Sequence, residues 1–175
     1  MAIHQFLETF ANADAIGYDA LGIREIIYKS NIKSDIYADN IHFDKLENYF
    51  KFFIDYKTSK KDTIIYHSSI YWDKLPLLLK SPGKKVMIFH NITPPSYFNY
   101  RPEFRALLEK GYKQLNEYKN LFDKIIVDSS FNKEVLVKMG CNKQINIIPP
   151  FVDLKKKFSA EPNKISLIKN KNHFC

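Results

Sequence analysis

Three short apolar runs without alternation constrain the fold of this chain most. They lie at residues 63–66 (TIIY), 86–89 (VMIF) and 125–127 (IIV). A strand with one solvent-exposed face carries a polar residue at every second position. An uninterrupted apolar run therefore indicates a strand that is buried on both faces. Such strands occur in parallel sheets that helices cover on both sides. The runs therefore predict an α/β domain.

The segments between the runs have the spacing of amphipathic helices. Apolar residues recur every three or four positions in 16–27, in 46–53 and, after Pro102, in 104–122. Ser129 and Ser130 are natural N-caps for a short helix over 132–139, and Gly140 is a natural C-cap. We predict strands at about 2–7, 33–37, 63–66, 85–89, 124–127 and 144–148. This order predicts a Rossmann-like, doubly wound parallel sheet of about six strands with helices on both faces.

The composition indicates a globular, cytoplasmic protein. The 175 residues include only two cysteines, Cys141 and Cys175, which are too few for a disulfide framework and have no neighbours at metal-ligand spacing. The N-terminus does not resemble a signal peptide, and no window is apolar enough for a membrane span. These features predict a reducing compartment.

The positive charge is concentrated at one end of the chain. Residues 151–175 hold six lysines against Asp153 and Glu161, and so carry half of the net charge of +8. We place a domain boundary near Asp153, with a Rossmann-like domain at 1–153 and a basic linker, or the start of a missing second domain, at 154–175. The lysine-rich segment is compatible with peripheral contact with an anionic membrane.

Polar groups follow several of the predicted strands. Asp14 and Gly17 follow the first strand, His67 the third, His90 the fourth and Ser129 the fifth. Because ligands of parallel sheets bind beyond the carboxyl ends of the strands, this edge is a candidate binding site. Each group also has a structural interpretation, as a hydrogen-bonded histidine or a helix cap. A glycine-rich dinucleotide loop and a P-loop are both absent from the sequence.

Five segments together resemble the N-terminal domain of glycosyltransferase family 4, whose members are retaining enzymes of the two-domain glycosyltransferase B fold. The segments are 14–21 (DAIGYDAL), 65–70 (IYHSSI), 89–95 (FHNITPP), 127–132 (VDSSFN) and 148–153 (IPPFVD). The histidine followed by NITPP is the most specific of them. The resemblance extends to about residue 153.

The resemblance implies the acceptor side of an active site. It makes His90 the catalytic residue and requires neither a metal nor a cofactor. The substrate-binding residues that it implies are Asp14, Gly17, Tyr18, His67, Asn91 and Ser129. The co-substrate would be a nucleotide-sugar and the acceptor a glycan or lipid-linked sugar. The nucleotide-sugar-binding domain is missing, so the chain would be a fragment or one half of a split enzyme, inactive without a separate second-domain chain.

Two interpretations from other classes remain open. One is a non-catalytic Rossmann-like binding module or degenerate glycosyltransferase. The other is a basic domain that binds nucleic acid, which would require a basic stripe interleaved with exposed aromatic residues. The scattered lysines do not form such a stripe in the sequence, so we expect no nucleic-acid partner.

Overall fold

The computed structural model describes residues 1–11, 14–42 and 50–151 and confirms the predicted α/β class. Seven strands form one sheet in the order β3-β2-β1-β4-β5-β6-β7. All neighbouring strands run parallel. The strands are β1 (Ile3–Ala11), β2 (Ile36–His42), β3 (Phe50–Phe52), β4 (Thr63–Ser68), β5 (Lys84–Phe89), β6 (Lys124–Val127) and β7 (Ile145–Ile147).

Four α-helices accompany the sheet in the described part of the chain. They are α1 (Ala15–Lys29), α2 (Leu75–Leu79), α3 (Pro102–Tyr118) and α4 (Ser130–Lys138). As the sequence indicates, α3 begins at Pro102 and Ser129 is the N-cap of α4. Gly140 has a φ of 74° directly after α4, in the left-handed region that glycine enters at little cost. The short helix α2 was not predicted.

Helices cover both faces of the sheet. Phe6 and Leu7 are neighbours on β1, and successive side chains of a strand point to opposite faces. Phe6 belongs to the larger core cluster, to which α3 contributes Leu108. Leu7 belongs to a smaller cluster, to which α1 contributes Ala20. The sheet therefore lies between α1 on one face and α3 on the other.

The helix predicted over 46–53 is wrong in its described part. Phe50 begins β3, an edge strand that pairs with β2, and Phe53 begins a single 3₁₀ turn. Phe50 packs against Phe10 at a ring distance of 4.6 Å, whereas Phe53 packs against Trp72 at 5.1 Å. The spacing of three between Phe50 and Phe53 therefore reflects an edge strand followed by a turn, and not one face of a helix. The sheet has seven strands and not six for this reason.

Some predictions concern residues outside the described ones. The predicted boundary near Asp153 and the segment 154–175 belong to this group, as do residues 46–49 of the predicted second helix. Within the described ranges, the structure contains no helix with both the length and the apolar character of a membrane span.

Gln114 ties α3 to the loop before α2, which generates a first prediction. Its side chain accepts the N–H of Trp72 at 3.0 Å and donates to the carbonyl of Trp72 at 2.7 Å. Gln114→Leu leaves the buried N–H of Trp72 unpaired, whereas the carbonyl of Trp72 still accepts the N–H of Leu75 at 3.2 Å. We therefore expect the free energy of unfolding to fall by about 1–3 kcal/mol in urea denaturation. The control Gln144→Leu, at an exposed position, should change it by less than about 0.5 kcal/mol. Equal losses in the two variants would contradict this role.

Candidate functional site

Four polar side chains lie in a row on the face of the sheet that α1 covers. They come from four adjacent strands or from the residue directly after a strand, and we call Gln5, His67, His90 and Asp128 the polar row. Each member of the polar row is next in sequence to a residue of the core cluster under α3. These adjacent residues are Phe6, Tyr66, Phe89 and Val127. Because strand side chains alternate between faces, the polar row points toward α1.

Continuous hydrogen bonds join the members of the polar row. The Nε2 amide of Gln5 donates to the carbonyl of Ala20 at 2.8 Å, and its Oε1 lies 2.9 Å from His67 Nε2. His67 Nδ1 lies 2.8 Å from His90 Nε2, and His90 Nδ1 lies 2.9 Å from Asp128 Oδ2. The two imidazole planes differ by 5°. The hydrogen bonds therefore run from α1 across β1 to the end of β6.

Asp19 of α1 and the segment after β7 close the site. Asp19 Oδ2 lies 4.0 Å from His90 Nε2, and Asp19 Oδ1 accepts the N–H of Phe151 at 2.6 Å. The ring of Phe151 occupies the space where a Cβ on Gly22 would lie. The side chain of His90 is consequently only 4 % exposed. The sequence predicts a crevice here, whereas the structure shows a covered cluster.

Burial sets the charge preferences of the site. It lowers the pKa of His67 well below the usual 6.5, and the neighbouring His90 lowers it further. Burial also raises the pKa of Asp19, an effect to which Asp128 adds, while the N–H of Phe151 and His90 oppose it. His67 is therefore a neutral imidazole at neutral pH.

Asp19, His67 and His90 are the described residues that could hold a metal ion. Their possible ligand atoms lie within 4.8 Å of one another. Ligand nitrogens about 2.0–2.1 Å from a tetrahedral zinc ion would be separated by about 3.3 Å. The two imidazole nitrogens instead face each other at 2.8 Å, the length of a direct hydrogen bond. The geometry is that of a hydrogen-bonded pair, and the absence of a metal requirement stays a prediction.

Asp14, Gly17 and Tyr18 lie at the start of α1 beside the polar row. Asp14 is the N-cap, and its Oδ2 accepts the N–H of Gly17 at 3.0 Å. The carboxylate of Asp14 therefore already occupies the backbone N–H of Gly17, one of the predicted substrate-binding residues. Tyr18 points outward and is 56 % exposed. These residues do not join the hydrogen bonds of the polar row.

Asn91 and Ser129 shape the loops that follow β5 and β6. Asn91 has a φ of 80°, and its Oδ1 accepts the N–H of Ile92 at 2.8 Å. Ser129 caps α4 by accepting the N–H of Asn132 at 3.3 Å. Of the predicted site residues, the structure thus places only His67 and His90 in the polar row, while Asp14 and Gly17 bond to each other at the start of α1. The roles of the others in substrate binding stay predictions.

Sequence reasoning missed Gln5 and Asp19. Gln5 is a fully buried polar residue inside a strand, and burial of that kind requires a partner. Asp19 lies three residues after Ile16 and four before Ile23, within the apolar stripe of α1, which was the available signal. Asp128 directly precedes the predicted cap Ser129, and its Oδ2 lies 2.9 Å from His90 Nδ1.

A cavity of about 880 Å³ lies at the opposite, amino-terminal edge of the sheet. Its charged lining residues are His4, Lys33, Lys51, Lys57, Asp55 and Asp62. Two of the lysines already face a buried carboxylate, since Lys51 Nζ lies 3.0 Å and Lys33 Nζ 3.8 Å from Asp35 Oδ2. We therefore place the candidate site at the carboxyl edge, with the polar row.

The fold and the polar row define a Rossmann-like α/β protein with a buried histidine pair at the carboxyl edge of its sheet. Comparison of the chain with protein-family models and with curated proteins returned no match.

The neutral state of His67 generates a second prediction. Its folded pKa lies below the unfolded value of 6.5, so the unfolded chain binds more protons as pH falls. The stability that wild type holds over His67→Asn should therefore be complete above pH 6.5 and shrink below it, by up to about 1.4 kcal/mol per pH unit. Urea denaturation of both proteins across this range measures the effect.

The exposed His42 supplies the control for this measurement. His42→Asn removes a histidine from the surface of β2 without changing the polar row. A difference between wild type and His67→Asn that stays constant, or grows, as pH falls would contradict a buried neutral imidazole.

Proposed function

We propose that this chain is the acceptor-binding half of a retaining glycosyltransferase, which moves a sugar from a nucleotide-sugar to a glycan or lipid-linked acceptor. The observation that carries the proposal is the position of the polar row. The chain builds β2 and β3 on one side of β1 and then crosses to β4 on the other side. Ligands of open α/β sheets bind at such a reversal, outside the carboxyl ends of the strands.

The residues at this reversal support the proposal. The first turn of α1 follows β1, His67 lies near the end of β4, and His90 follows β5 directly. Tyr112 Oη donates to the carbonyl of Ile92 at 2.7 Å, which anchors the loop after His90 to α3. A rigid mount of this kind suits a group that positions a reacting sugar.

Exposed aromatic rings at the same edge favour a carbohydrate as the ligand. Four of them belong to segments that directly follow β1, β5 and β6. They are Tyr18, Tyr97, Tyr100 and Phe131. Flat rings give a large contact area to the apolar faces of a sugar, and the tyrosine hydroxyls can bond its hydroxyls. In our proposal these rings hold the acceptor, and movement of Phe151 off Asp19 gives it access to His90.

The donor would bind elsewhere. Asp14 already occupies the N–H of Gly17 at the start of α1. A leaving diphosphate is stabilised by positioned cations or amide donors, an effect of several kcal/mol per group. We therefore assign the nucleotide-sugar to a second domain, carried by another polypeptide segment.

A non-catalytic Rossmann-like binding module is the second candidate function. The closure of the polar row by Phe151 favours it, because a covered histidine pair need not meet a substrate. The two candidates differ in their ligands. A non-catalytic module that binds nucleotides, as many Rossmann-like domains do, would bind nucleotides and no saccharides.

Saccharide binding supplies the third prediction. In saturation-transfer NMR, oligosaccharides should receive magnetisation from the full chain, whereas nucleoside diphosphates should not. Tyr18→Ala should weaken saccharide binding about fivefold, since one aromatic contact contributes about 1 kcal/mol. Tyr28→Ala is the matched control, because Tyr28 is 64 % exposed in the last turn of the same helix. Nucleotide binding without saccharide binding would favour the second candidate instead.

The assignment of the donor to a second domain supplies the fourth prediction. The purified chain, mixed with nucleoside-diphosphate sugars and oligosaccharides, should release no nucleoside diphosphate. Release should begin only when a polypeptide with a nucleotide-sugar-binding domain is added. Efficient transfer by the chain alone, followed by a coupled diphosphate assay, would show that the donor site lies within these residues.

A further inference from the structure

We propose that the polar row holds one proton more than two neutral imidazoles would carry, and that this proton makes His90 an imidazolium at neutral pH. Gln5 and Asp128, at the two ends of the row, are the positioning residues for this charge. The inference goes beyond the proposed function and does not depend on it, because it concerns only hydrogen-bond directions among described residues.

The argument begins at Gln5. Its Nε2 lies 2.8 Å from the carbonyl of Ala20, which only accepts, so the amide orientation is determined. Oε1 of Gln5 therefore faces His67 Nε2 at 2.9 Å as an acceptor, and His67 Nε2 must carry a hydrogen. Since burial keeps His67 neutral, its Nδ1 holds a lone pair.

The lone pair on His67 dictates the state of His90. His90 Nε2 lies 2.8 Å from His67 Nδ1, a distance at which two lone pairs would repel, so His90 Nε2 must donate. His90 Nδ1 faces Asp128 Oδ2 at 2.9 Å and must donate as well if that carboxylate is ionised. An imidazole that donates from both nitrogens is an imidazolium.

The charged groups around His90 favour the proton on its ring. Asp19 of α1 lies 4.0 Å from His90 Nε2 and Asp128 lies 2.9 Å from Nδ1. The neutral Gln5 of β1 and His67 of β4 complete the surroundings. A proton on Asp128 would give the same total, but it would leave Asp19 facing a neutral ring in a buried site. Two flanking carboxylates favour the imidazolium.

This charge state limits what His90 can do. A doubly protonated ring has no lone pair with which to accept a proton, and both N–H groups already have partners. In the proposed transfer, His90 would therefore supply positive charge and fixed geometry, and it would not act as a general base.

Nitrogen-15 NMR of the full chain, in which proton–nitrogen couplings within the imidazole rings reveal each protonation state, tests the proposal. At neutral pH we expect His67 as the Nε2–H tautomer and His90 protonated on both nitrogens. His4 is an internal control, because its Nδ1 accepts the N–H of Asp35 at 3.2 Å and burial lowers its pKa. A neutral His90 ring would overturn the proposal.

Asp128→Asn tests the positioning role with an isosteric side chain. The asparagine amide can donate to His90 Nδ1, so the row becomes satisfied without the extra proton. We expect complete loss of the imidazolium signature with an unchanged far-UV circular dichroism spectrum, and no loss in Asp73→Asn, a surface control. An imidazolium that persists in Asp128→Asn would overturn the role of Asp128.

Titration with Zn²⁺ distinguishes a proton from a metal ion between the two rings. Imidazole resonances of His67 and His90 that do not change on addition of Zn²⁺ support the proton. Replacement of the His90 imidazolium signals by those of a metal-bound ring would overturn the proposal, since a metal ion would then be the preferred occupant.

Discussion

The hydrogen bonds of the polar row lie in a buried place, since Gln5, His67 and the side chain of His90 are almost completely covered. A buried donor or acceptor without a partner costs about 1–3 kcal/mol, so losing one member affects its neighbours as well. The hydrogen bond from Gln5 to the carbonyl of Ala20 also links β1 to the sixth residue of α1. The hydrogen bond of Gln5 therefore ties α1 to the sheet, together with the apolar packing of Ala20.

The same requirement determines strand register. His67 is opposite Ile88, and Phe89 is opposite Val127, which places His90 and Asp128 at adjacent strand ends. A slip of one residue in a strand moves every side chain to the other face. Such a slip would carry a histidine into the apolar cluster under α3. Polar and apolar groups thus specify the same register from opposite faces.

The secondary structure could be predicted from the sequence in those segments where the residue pattern fits only one type of element. Unalternating runs such as 125–127 indicate strands buried on both faces, and the structure places β6 at Lys124–Val127. Phe50 and Phe53 were misinterpreted because spacing alone does not separate a helical stripe from an edge strand that ends in a turn. The type of each central element was predictable, whereas the use of aromatic residues at the sheet edge depends on distant partners.

The residues of the candidate site also differ in whether the sequence could predict them. His67 and His90 were predictable because polar residues that directly follow apolar strands come together at one edge. Gln5 was not, since its partner is the backbone carbonyl of Ala20, which no side-chain pattern reveals. Closure by Phe151 was equally hidden, because it joins residues 132 positions apart.

Stability alone does not account for the polar row. Replacing buried ionic groups by apolar side chains of similar volume is often neutral or stabilising, because desolvation offsets most of the attraction between charges. By this principle the fold does not require ionisable groups between α1 and the sheet. The ionisable groups Asp19, His67, His90 and Asp128 instead gather where the strand order reverses, the place where folds of this class bind ligands. The function that we propose gives their burial a reason, because the positive charge proposed for His90 would act on a ligand at this edge.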